Sequence, residues 1–114
     1  MSPRRRSGAA ALADTAPIIA ALGDETRLRI VIRLSADGPM SIARLTDDAS
    51  VTRQAVTKHL QVLEDAGLAH SSRVGRECVW ELDPRQLAAA RQCIDGLSAQ
   101  WDAALGRLKQ FVED

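Results

Sequence analysis

The sequence predicts a mainly helical chain with one small β-hairpin, in the order α-α-α-α-β-β-α. Three observations predict it: apolar residues spaced by threes and fours through most of the chain, two short strand-like segments on either side of Gly75, and a return to helical spacing after Pro84. The 114 residues are enough for one domain and leave little room for a second. With 46% hydrophobic and 26% charged residues, the chain is too apolar to be disordered throughout. Aromatic residues are confined to Trp80, Trp101 and Phe111, so the core must be built from Leu, Ile, Val and Ala.

Residues 1–13 combine Pro, Arg, Ser, Gly and Ala without a clear period. They are expected to form a flexible basic arm carrying Arg4, Arg5 and Arg6, leading into a first helix near Pro17. Ile18, Ile19 and Leu22 give that helix an apolar side. Asp24 can cap the second helix, in which Leu28, Val31, Ile32 and Ser35 share one face at i, i+3, i+4, i+7, and Asp37-Gly38-Pro39 ends it. Ser41 caps a short third helix through about Asp48, burying Ile42 and Leu45. After a break at Ala49-Ser50-Val51, Thr52 caps a fourth.

In the fourth helix Val56, Leu60 and Leu63 recur at i, i+4, i+7, which leaves Arg53, Gln54, Thr57, Lys58 and Gln61 on the other side. Gly67 closes it. Residues 68–73 and 77–82 then read as two strands joined through Val74-Gly75-Arg76, where Gly supplies the positive φ of a tight turn. Asp83-Pro84-Arg85-Gln86 starts a last helix, with Asp as cap, Pro at the first position and Gln placed to complete a capping box. Along it Leu87, Ala90, Ile94, Leu97, Trp101, Leu105, Leu108 and Val112 alternate in steps of three and four, the spacing of a coiled-coil seam. One domain of this size cannot cover so long a stripe, and a partner helix is its natural cover.

Fifteen basic and fifteen acidic residues give zero net charge, so any role for charge lies in its placement. Arg4 to Arg6 form the arm, Arg53 and Lys58 share a helix, and Arg73 and Arg76 flank the hairpin glycine. A short helix, a break, a second helix with a polar N-terminal side, and a hairpin make a helix-turn-helix followed by a wing. Thr52, Arg53, Gln54, Thr57, Lys58 and His59 then supply what such a helix needs to read DNA. Arg pairs with guanine, Gln with adenine, and the Thr methyl meets the thymine methyl, while Lys58 reaches phosphates and Arg73 and Arg76 of the wing reach phosphate or the minor groove.

Other chemistries find less support. No apolar run is long enough to cross a bilayer, and the basic start leads into an Ala-rich stretch holding Asp14, so a cytoplasmic, unprocessed chain is expected. No Ser/His/acid or Cys/His set lies in a recognisable context and the glycines are dispersed, so no enzyme and no cofactor is expected. A winged helix binding protein instead of DNA is the competing class, but residues 53–61 lack large apolar anchors on the exposed side. His59 reads as a helix-packing or DNA-backbone residue ahead of a metal ligand, and Trp101 as a dimer-core residue ahead of a ligand-pocket one. Cys78 and Cys93 are either apolar fillers or a thiol pair for redox or sulfur sensing.

Three segments in order, Leu22-Gly23-Asp24-Glu25-Thr26-Arg27-Leu28-Arg29-Ile30, Val51-Thr52-Arg53-Gln54-Ala55-Val56-Thr57-Lys58-His59-Leu60 and Leu63-Glu64-Asp65-Ala66-Gly67-Leu68, resemble the ArsR/SmtB family of bacterial repressors. The resemblance runs from about residue 16 to residue 83. It implies a winged-helix homodimer on a palindromic operator, repressing its own transcription unit until an effector releases it. Metal-sensing members carry a Cys-x-Cys pair before the recognition helix, or His and acidic ligands on the C-terminal helix. Here residues 42–48 hold no Cys and residues 84–114 hold no His, so a metal-independent regulator with no metal site is expected.

The expected organisation is therefore a flexible arm at 1–13, a winged helix-turn-helix DNA-binding domain at 14–83 and a dimerisation helix at 84–114. Ile18, Leu22, Ile94, Leu97, Trp101, Leu105 and Leu108 are expected at the dimer interface. Double-stranded DNA, a second copy of the chain and an effector of unspecified chemistry are the expected partners, with no membrane.

Overall fold

A computed structural model describes residues 8–47 and 50–113, the side chains of 8–12 and 14 excepted. The helices are α1 (Gly8–Leu22), α2 (Glu25–Asp37), α3 (Ile42–Asp47), α4 (Arg53–Asp65) and α5 (Pro84–Glu113), and the strands β1 (Met40–Ser41), β2 (Ala69–Val74) and β3 (Glu77–Leu82). The arginines of the expected arm, together with Asp48 and Ala49 of the α3–α4 junction, lie outside the described residues.

The first helix differs from expectation: residues 8–13 are helical and Pro17 lies inside α1, not at its start. Ala-rich sequence has the strongest intrinsic preference for helix, and a single Pro removes one backbone bond without stopping so favourable a run. In α2, Asp24 caps as expected, its Oδ1 accepting the Arg27 backbone N–H at 3.0 Å. The buried face of α2 is Ile30, Val31 and Leu34, whereas Leu28 and Ile32 are exposed. The consecutive Ile30-Val31-Ile32 carries two overlapping stripes, and spacing alone chose the wrong one.

β1 was not anticipated, since two residues are too few to carry an alternating pattern. It pairs antiparallel with β3, Met40 opposite Trp80, making a three-stranded sheet in the order β1-β3-β2. β2 and β3 pair from Ala69↔Leu82 to Val74↔Glu77, so the connecting turn is Gly75-Arg76 and Val74 belongs to the strand. Gly75 takes φ +64°, a region costly for any side chain with a Cβ.

Val56, Leu60 and Leu63 of α4 are completely buried in a core shared with Ile18, Ile30, Leu34, Met40, Leu45, Leu68 and Trp80. Just past the end of the helix Gly67 takes φ +81°, and the Leu68 N–H reaches the Leu63 carbonyl at 2.9 Å, turning the chain into the sheet. Asp83 starts α5 by accepting from the Arg85 N–H at 2.9 Å. The reciprocal half of the expected capping box does not form. The Asp83 N–H donates instead to the Leu68 carbonyl, and the Gln86 side chain lies over Gly67.

Candidate nucleic-acid interface

The core fixes which side of α4 faces outward. With Val56, Leu60 and Leu63 inward, helical geometry gathers Arg53, Gln54, Thr57, Lys58 and Gln61 around one shallow concavity on the surface. Four of these were expected as base or phosphate contacts. Gln61 joins them one turn further along.

The individual side chains differ in what they leave free. The Thr52 hydroxyl oxygen caps α4, accepting the Ala55 N–H at 3.1 Å. Thr57 donates its hydroxyl proton to the Arg53 carbonyl at 2.9 Å, which leaves its methyl as the outward group, suited to a thymine methyl. Arg53, Gln54 and Lys58 are exposed. Arg73, near the end of β2, and Arg76, in the turn, are both exposed on the projecting hairpin. Arg offers a planar fork and Gln a paired donor and acceptor, the two shapes that match guanine and adenine edges.

His59 departs from the expected set. It lies away from the concavity, half-buried, with Nδ1 3.3 Å from Arg27 Nη1 and 3.8 Å from Asp24 Oδ1. A guanidinium has no acceptor, so Nδ1 accepts and the imidazole proton sits on Nε2. Arg27 also donates from Nε to the Ala21 carbonyl at 2.7 Å. Asp24 is held below the usual carboxylate range by the backbone N–H of Arg27 and, further, by the Arg27 charge. The sequence offered Asp24 as a cap, but nothing in it placed Arg27 or His59 beside it.

The second group of expected residues lies on the terminal helices. Ile94, Leu97, Trp101, Leu105, Leu108, Phe111 and Val112 form an exposed apolar stripe along α5, Phe111 being 82% exposed. Leu22 packs at the edge of the core. Ile18 is only 1% exposed and belongs to the protomer's own core, so it has no surface to offer a partner; its neighbour Ile19 is the outward residue. Cys78 is exposed, Cys93 half-buried, and both are free thiols. Among the described residues no group of three His, Cys, Asp or Glu is placed to hold a metal ion, and no helix is long and apolar enough to cross a membrane.

Two helices joined by a short break, the second with a buried apolar side and an open polar one, followed by a projecting hairpin, define a winged helix-turn-helix. A helix-turn-helix domain model matches residues 22–71. Over 93 residues the chain is 41% identical to the HTH-type transcriptional regulator Rv2034 of Mycobacterium tuberculosis, covering 82% of this chain and 83% of that one. It is 35% identical to an ArsR-like transcriptional regulator of known structure from Rhodococcus sp. RHA1, with a TM-score of 0.68 over 87% of this chain and 92% of that chain. A homodimeric winged helix-turn-helix DNA-binding domain from Mycobacterium bovis, 21% identical, shares the fold with a TM-score of 0.65 over 88% of this chain and 92% of its own. The chain belongs to the ArsR family of winged helix-turn-helix, DNA-binding transcriptional regulators.

Proposed function

We propose that this regulator works as a homodimer on a palindromic operator, places α4 in the major groove, and represses the transcription unit it binds. The observation that carries the reading is the single polar surface of Arg53, Gln54, Thr57, Lys58 and Gln61, held rigidly by three fully buried residues on the same helix. Rigidity matters because base readout needs donors and acceptors held at fixed positions against the groove edge. Arg53, Gln54 and Thr57 read bases. Thr52, Lys58, Arg73 and Arg76 contact the backbone, the wing from the adjacent groove. Residues 14–83 form the DNA-reading unit and 84–114 the dimerising helix, and a chain acting on chromosomal DNA works in the cytoplasm.

The dimer reading is supported by the exposed stripe on α5 and by the homodimeric state of the Mycobacterium bovis domain of the same fold. A two-fold dimer sets two recognition helices about 34 Å apart, one DNA turn, so each reads half a palindrome. The sense of regulation, repression relieved by an effector, is what the family resemblance implies. Fluorescence anisotropy with duplex DNA from upstream of the gene, repeated over a range of salt, tests the reading. Binding should weaken with a log-log slope of about −0.9 for every phosphate neutralised. Salt-insensitive binding, or none, overturns it.

A further inference from the structure

We propose that His59 is a positioning residue: with Arg27 and Asp24 it clamps the recognition helix to the α1–α2 elbow, so that the helices that dimerise set where α4 stands in the groove. The proposal rests on the reading of α4 as the DNA-reading helix.

Apolar burial is non-directional, so Val56, Leu60 and Leu63 fix the depth of α4 better than its slide along its own axis. A hydrogen bond to another element supplies that missing direction. The bonds of Thr52 and Thr57 stay within α4 and its cap, whereas His59 reaches across to α2. Its partner is well placed to transmit position. The Arg27 guanidinium touches the Ala21 carbonyl in the last turn of α1 at 2.7 Å and His59 Nδ1 on α4 at 3.3 Å, from a backbone whose N–H is held by Asp24 at 3.0 Å. One planar, rigid group therefore joins three helices. Because α1 packs on α5, the elbow is continuous with the helix that carries the exposed apolar stripe. Asp24 steadies the Arg27 end of the clamp, its ionised carboxylate accepting the Arg27 backbone N–H at 3.0 Å and attracting the guanidinium.

His59 is thus distinct in kind from its neighbours on α4: it acts on DNA through Arg27, not by touching it. The test uses the full chain and a duplex enriched from a random-sequence pool by the wild type, which also yields the base ranking at each position. His59→Ala and Arg27→Met should each weaken binding about tenfold, the loss of one charge-assisted hydrogen bond. The double variant should be no weaker than either single one. Salt slope and base ranking should not change, and His59→Asn, whose Oδ1 stands where Nδ1 stood, should return affinity to within about threefold of wild type.

Circular dichroism and thermal melting identify any variant that fails to fold, in which case the Asn variant, compared with His59→Leu, carries the comparison. Additive losses, a salt slope reduced by about 0.9 in His59→Ala, or a changed base ranking would make His59 a direct DNA contact and overturn the clamp. Unchanged affinity in folded His59→Ala overturns it as well. A wild type that enriches no duplex overturns the DNA reading of α4 and the clamp's role with it.

Discussion

Changing Leu97 and Leu105 together to Glu should convert the protein from dimer to monomer and abolish specific DNA binding, without disturbing the winged core. The two side chains are 51% and 59% exposed on the isolated protomer, so about half of each is available to a partner. Full burial of a Leu is worth roughly 1.5–3 kcal/mol, so half-burial contributes about 1 kcal/mol per side chain. In a two-fold dimer each residue occurs twice, and four half-buried leucines amount to about 4 kcal/mol, close to three decades in the dimer dissociation constant. Like charges brought together across the axis add to that. Static light scattering across a concentration series, alongside DNA titration of the same samples, reads both consequences, and circular dichroism should report unchanged helix content. A wild type already monomeric at micromolar concentration, or full operator affinity in the monomeric double variant, refutes the reasoning.

Gln54→Ala should change base preference at one operator position at a cost of about 1–3 kcal/mol, while Arg76→Ala should weaken binding to all sequences together. Affinity profiles over single-base operator variants separate the two, and the reverse pattern would overturn the division between helix and wing. Leu60→Ala removes a fully buried side chain from beneath the polar surface and should cost about 2–5 kcal/mol in denaturant unfolding; a negligible change would place Leu60 outside the core. Asp24→Ala should lower the thermal midpoint at neutral pH. The folded-state carboxyl is depressed below its ordinary 3.8, so its contribution is fully present above that value and is lost as pH falls through the lower folded one. The gap between wild type and variant in melts across pH should therefore close in acid, and a constant gap contradicts the assignment.

The recognition helix was legible because one period of three and four, Val56, Leu60 and Leu63, dominated, with Val62 the one large apolar residue of the helix off that stripe, and was bounded by a Thr cap and a closing Gly. The α5 start was legible for the same reason: Asp83 and Pro84 have local meanings independent of tertiary context. Where two apolar patterns overlapped, as in Ile30-Val31-Ile32, local spacing could not choose the face that the core selects. Ile18 shows the converse limit. An apolar residue on a terminal helix looks the same in sequence whether it faces its own core or a partner, and only packing assigns it. His59 was legible as a polar residue on a DNA-reading helix but not as the partner of Arg27, because a contact across 32 residues leaves no periodic trace. β1 left no signal for a related reason, being defined by pairing with β3 and not by its own two residues.

Hydroxyl-radical footprinting on the enriched duplex is the most direct test of a two-fold regulator that presents one α4 from each protomer. The account predicts two protected stretches on one face of the DNA, centred about 10–10.5 base pairs apart, both lost together when Leu97 and Leu105 are changed to Glu. A single protected stretch, or two that persist in the monomeric variant, contradicts it.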